Sequence, residues 1–92
     1  KSEFKQPLFS VSNPNVVIET IKKAEDGVGL IIRLFESQRK RGVIALKSFL
    51  PIQSAWETNL LEENQESCHQ VDHEIHLNIK PYEIKTLRIH LG

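Results

Sequence analysis

Three of the four histidines lie close together, in His69-x3-His73-x2-His76, with Cys68 and Asp72 beside them. Imidazole and thiolate are zinc ligands, and short spacings are one way a chain gathers them. On a strand, however, His73 and His76 point to opposite faces, because their spacing is odd. His69 and His73 share a face only where a loop meets the strand. A solvated, half-buried histidine pair is the plainer expectation, and no metal ligand is assigned. Carboxylates are plentiful at Glu19, Glu36, Glu57, Glu62, Glu63, Glu66, Glu74 and Glu83. Paired carboxylates perform glycoside hydrolysis, but nothing in their spacing sets any two at a catalytic separation. No glycine-rich phosphate loop, nucleophile elbow or supported Cys–His arrangement occurs, so no catalytic residue is assigned. Trp56 and Tyr82 could stack on a sugar ring. Large aromatics of a small domain more often fill its core or rim.

The elements that must position these residues are strands. Asn15–Gln38 holds two apolar, β-branched runs joined by Glu25-Asp26-Gly27, the pattern of a hairpin whose loop ends on glycine. Ala24 then faces Val28, and the register places Ile21 against Ile31, Glu19 against Arg33 and Val17 against Phe35. On the other face Thr20 meets Ile32, Ile18 meets Leu34 and Val16 meets Glu36. Opposite charges across a ladder favour this register by about 0.2–1 kcal/mol. Both faces are largely apolar, whereas a sheet with one wet face alternates. The face of Val17, Ile21, Ile31 and Phe35 therefore needs a cover, and an interdomain contact is the expectation.

Residues 1–6 read as a frayed end, and 7–11 as a short edge strand. Ser12–Asn15 is a turn. Gln38–Gly42 is a basic turn, either a solvated hairpin tip bent at Gly42 or a patch for phosphate or an acidic partner. Val43–Phe49 alternates, with Ile44, Leu46 and Ser48 on one side, and Pro51 ends it. Gln53–Leu61 is assigned as strand, although its Leu60-Leu61 step suits neither period. Glu62–Gln70 is polar and reads as a loop. Val71–Ile79 alternates most clearly, and Tyr82–Leu91 is a last strand containing a bulge. About seven strands at this spacing make an all-β, antiparallel sandwich of immunoglobulin-like architecture, in a single domain spanning residues 1–92.

Lysine plus arginine equals aspartate plus glutamate, 12 against 12. A dedicated nucleic-acid binder shows a basic excess, so nucleic acid is not an expected partner. No apolar run reaches bilayer length and no signal-peptide pattern opens the chain, so a membrane is not expected either. A single cysteine forms no internal disulfide, and no Asn-x-Ser/Thr acceptor occurs. A cytoplasmic setting is the expectation.

Beyond these patterns, Asn15–Asp26, Arg33-Leu34-Phe35-Glu36, Leu60-Leu61-Glu62 and Pro81–Leu87 fall in an order that resembles the terminal β-sandwich domain of family 38 glycoside hydrolases, the α-mannosidases. The turn after Glu36 departs from the small or glycine residues common in relatives. The resemblance covers nearly the whole chain. It implies a fragment of a larger, multidomain, retaining enzyme that removes terminal α-mannose residues. It also implies an upstream catalytic domain holding zinc and an aspartate nucleophile. No motif of that domain matches here, so the fragment itself is expected to be inactive and to hold no cofactor. Its implied partners are the remaining domains of the parent and, through the parent, mannosides. A carbohydrate-binding module using Trp56 and Tyr82 is the alternative.

Overall fold

A computed structural model describes residues 9–27, 29–59 and 63–91. Nine strands follow in order: β1 (Phe9–Val11), β2 (Val16–Lys23), β3 (Leu30–Glu36), β4 (Gly42–Ser48), β5 (Ile52–Thr58), β6 (Asn64–Ser67), β7 (His69–Val71), β8 (Glu74–Ile79) and β9 (Ile84–Leu91). They form two antiparallel sheets, one ordered β1-β4-β8-β7 and the other β2-β3-β9-β5-β6. Alternation explains the packing, since every second side chain points inward. Ile44 and Leu46 of β4 and Ile75, Leu77 and Ile79 of β8 meet Ile32 and Leu34 of β3 and Leu87 and Ile89 of β9 in one buried core. Each such side chain contributes about 1.5–3 kcal/mol by leaving water. The all-β sandwich expected from the sequence is the architecture found.

Four local expectations need correction. The first is the hairpin. Its outer rungs are as expected, with Val16 opposite Glu36, Val17 opposite Phe35 and Ile18 opposite Leu34. Past Ile18 the register slips by one, so Thr20 faces Arg33, Ile21 faces Ile32 and Lys22 faces Ile31. The Ala24 N–H donates to the Gly29 carbonyl at 3.1 Å, so the loop is one residue longer than expected, and a bulge at Glu19 absorbs the difference. An edge strand tolerates this, because it disturbs one ladder instead of two. Gly29 belongs to the turn for a steric reason: a Cβ there would collide with the His90 ring. The expected Ala24–Val28 pairing, the frayed residues 1–6 and positions 7–8 of the first strand lie outside the described residues. So does the Leu60-Leu61-Glu62 motif.

The second correction concerns residues 62–71, expected to be a loop leading into a strand. This segment contributes β6, which pairs with β5, and β7, which pairs with β8. The long alternating run of Val71–Ile79 is broken by a tight reversal at Asp72-His73, with Asp72 at φ 51°. These two short strands account for nine strands in place of seven. Third, β9 runs against β3 from Ile84 to Ile89 with no register shift, so the expected bulge is absent there. Fourth, Gln38–Arg41 is not a hairpin tip. It carries the chain from β3 in one sheet to β4 in the other, and the bend lies at Arg39 (φ 58°). Among the described residues no helix is long and apolar enough to cross a membrane.

Candidate functional site

The most elaborate polar arrangement is built on Glu36, at the end of β3. Pairing with Val16 turns its side chain toward the interior, where it is fully buried. A buried carboxylate is costly unless donors surround it, and three converge here. The Asn15 side-chain amide donates to Oε2 at 2.8 Å and the Gln38 N–H to the same oxygen at 3.0 Å. The Tyr82 N–H donates to Oε1 at 2.8 Å. Burial alone pushes the Glu36 pKa up, but the hydrogen bonds from Asn15, Tyr82, Lys40 and Gln38 prevail and hold it at about 2.

Backbone bonds lock the same junction. The Ser37 N–H and hydroxyl both donate to the Asn15 carbonyl, and the Glu36 N–H donates to Glu83. Asn15, Glu36 and Tyr82 come from three of the segments that carry the family resemblance. They converge on one carboxylate that cannot reach a substrate. This acid therefore fastens three chain reversals. Its one signal in the sequence was the rung Val16–Glu36, which set a charge on an otherwise apolar inner face.

A second polar region lies where β5, β6 and β8 meet, around a cleft of about 390 Å³ lined by Glu57, Glu66, Cys68, His69, His76 and Lys85 among others. Lys85 bonds Glu57 at 2.9 Å and lies 3.7 Å from Glu83. Burial, with Glu57 and Glu66 nearby, pushes the Cys68 thiol up to about 11. It is therefore a neutral thiol at physiological pH, not an activated nucleophile.

The histidines are arranged differently from expectation. The reversal at Asp72-His73 makes His69 and His76 cross-strand partners, with ring centroids 5.9 Å apart, while exposed His73 turns to the Ser48 carbonyl. His76 also bonds Glu74 at 2.9 Å and thereby holds that carboxyl below its ordinary range. Among the described residues no group of three or more histidines, cysteines or carboxylates could hold a metal ion. The residues here do not fit the zinc expected of a parent enzyme, and no step is derived through it.

Trp56 is half-buried on β5, opposite Arg88, while Tyr82 stands 55% exposed on the turn before β9. From Ile84 to Arg88 the strand advances about 13 Å, so the two aromatics do not form one stacking platform. Val17, Ile21, Ile31 and Phe35 do not share one face either. The Glu19 bulge puts Ile21 on the side of Ile32, while Ile31, Phe35 and Val17 lie on the outer side. Ile31 is fully buried, and Val17 and Ile21 remain exposed. Sequence reasoning also missed Arg88. It is buried on the outer face of its sheet, and its Nη1 reaches both oxygens of Asp26 in the hairpin loop at 2.9 and 3.1 Å.

With this geometry in place, comparison with known proteins is informative. Residues 15–87 match the family model described as the glycosyl hydrolases family 38 C-terminal beta sandwich domain. The chain is 36% identical over 84 residues to alpha-mannosidase 2C1 of Mus musculus, covering 86% of this chain and 8% of that protein. It is 34% identical over 83 residues to alpha-mannosidase G of Dictyostelium discoideum, covering 87% of this chain and 8% of that protein. Human alpha-mannosidase 2C1 is 34% identical over 84 residues, at 86% and 8% coverage. The chain thus spans a small fraction of the length of the relatives it matches.

Proposed function

The chain belongs to the family of the glycosyl hydrolases family 38 C-terminal β-sandwich domain, and on that premise we propose that it is the non-catalytic terminal domain of an α-mannosidase. Its role is to support the catalytic domain that hydrolyses terminal α-mannose residues. The observation that carries this is the match over residues 15–87, with relatives named α-mannosidases of which the chain spans 8%. The internal position of Glu36 and the ion pairing of Glu57 agree with a part that holds shape and performs no chemistry. The parent is a retaining enzyme whose zinc and nucleophile reside upstream, and it works in the cytoplasm. The domain's partners are the other domains of the same polypeptide.

The test compares the full-length parent with this fragment, using an aryl α-mannoside as substrate, metal analysis by mass spectrometry and cell fractionation. The expected result is hydrolysis with retained anomeric configuration and bound zinc in the parent only, recovered from the cytoplasmic fraction. A parent without α-mannosidase activity, or a fragment that hydrolyses the substrate alone, would sink this reading. The exposure of Tyr82 favours a second reading, a sugar contact on the fragment itself. Saturable NMR shifts at Tyr82 or Trp56 on titration with mannose would establish it, and their absence would remove it.

A further inference from the structure

The outer face of the β2-β3-β9-β5-β6 sheet carries a cation without a counter-charge among the described residues. Arg33 alternates with the core residues Ile32 and Leu34, so it points outward, and it is half-buried there. Its Nε is buried and has no hydrogen-bond partner. Among the described residues no carboxylate pairs with it. The bulge explains why: Glu19, the natural counter-charge across the ladder, is pushed out of register, and Thr20 stands opposite Arg33 instead. On the other side its neighbour is Thr86. One rung away, Val17, Phe35 and Ile84 form an apolar row across three strands, with Val17 48% and Ile84 51% exposed. An unpartnered arginine beside exposed apolar side chains is the composition of an interface centre.

The charge of the face restricts what can cover it. Its ladder positions in β2, β3, β9 and β5 carry Lys22, Arg33 and Arg88 and no carboxylate, and the hairpin loop supplies Glu25 to Lys22 and Asp26 to Arg88 but nothing to Arg33. A second copy meeting it face to face would offer Arg33 no carboxylate from those ladder positions. A guanidinium fork is instead satisfied by a carboxylate, in two parallel hydrogen bonds. The relatives extend far beyond the part this chain matches, which covers 8% of each. We propose that the Arg33 face is the docking surface for an upstream domain of the same polypeptide, which presents an aspartate or glutamate to Arg33 and apolar side chains to Val17, Phe35 and Ile84. This rests on the parent reading above and adds which face docks and which charge it receives.

The test uses the full-length parent, with a photo-crosslinking benzoylphenylalanine placed at Ile84 and the products mapped by peptide mass spectrometry. The expected product joins Ile84 to an upstream segment of the same chain that contains or adjoins an acidic residue. Arg33→Glu should lower its yield about fivefold or more through like-charge repulsion, with Arg33→Lys falling between. A cross-link to a second copy, identified by mixing isotope-labelled and unlabelled protein, would overturn the proposal, as would one to a different protein. Absence of any cross-link beyond this domain would do the same. Should Arg33→Glu fail to fold, the unsubstituted cross-link and Arg33→Lys still decide the matter. α-Mannosidase activity is assayed on the same samples. An inactive parent defeats the parent reading, whereas an active one without the upstream cross-link defeats the docking surface alone.

Discussion

Glu36 and Arg33 lie three residues apart on β3, and the fold treats them in opposite ways. Glu36 faces inward and is met by three donors from Asn15, Gln38 and Tyr82. Arg33 faces outward, keeps a buried Nε without an acceptor and has lost its ladder counter-charge to a bulge. A buried polar group left alone is unfavourable, so the first region is complete within the domain, and the second is where the docking proposal rests. Arg88, on the same face as Arg33 but tied to Asp26, shows that the domain can satisfy an arginine there when the hairpin loop reaches it. On the docking proposal, the difference separates a structural junction from a contact surface.

Several measurements would break or sharpen this contrast. The largest effect is expected at Glu36. Glu36→Ala removes the shared acceptor of three donors at once, and Glu36→Gln sets an amide N–H₂ against N–H groups. Both should abolish the cooperative urea transition or lower its midpoint more than Leu34→Ala does. That neighbouring core truncation, costing about 2–5 kcal/mol, is the yardstick. If Glu36→Gln unfolds like the parent sequence, the carboxylate is not the fastening point.

Next comes pH. The folded pKa of Glu36 is held at about 2 against an ordinary 4.5, so its contribution is full above pH 4.5 and fades as pH falls toward 2. Chemical denaturation from pH 6 to pH 2 should show that acid limb, flattened in Glu36→Gln. Arg33→Met should be nearly neutral, within about 1 kcal/mol, in the isolated domain because it removes an unsatisfied donor. In the full-length parent the same change should lower the temperature of inactivation, and a strong loss in the isolated domain would instead mean that Arg33 has an internal role. The smallest effect concerns reactivity and leaves stability untouched. Cys68, raised from 9.0 to about 11, should alkylate with iodoacetamide at pH 7.5 roughly a hundredfold more slowly than a free thiol, in proportion to its thiolate.

Much of the fold was legible because alternation is a local signal. Ile44, Leu46 and Ser48 inward and Val43 outward followed directly from β4's own sequence. The outer rungs of the hairpin were legible from its two apolar runs. The inner rungs were not, since a loop longer by one residue and a compensating bulge leave the apolar pattern almost unchanged. β6 and β7 were hidden because polar residues at a sheet margin carry no alternation. The His69–His76 pair was hidden because a reversal at Asp72-His73 interrupts a run that reads as one strand. The Glu36 cluster was half legible: its inward direction followed from the register, but its donors did not.

By itself, the sequence determined which segments extend, which of their faces seek the core, that the result is a two-sheet sandwich, and the family to which it belongs. Period-two alternation and turn residues act over a few neighbours, and a string of residues records them. Tertiary structure alone decided that Asn15, Gln38 and Tyr82 meet on Glu36, that Asp26 holds Arg88, and that Arg33 Nε finds no acceptor among the described residues. Those outcomes depend on where distant chain reversals come to rest, and a single inserted residue such as Glu19 moves a charge from paired to unpaired.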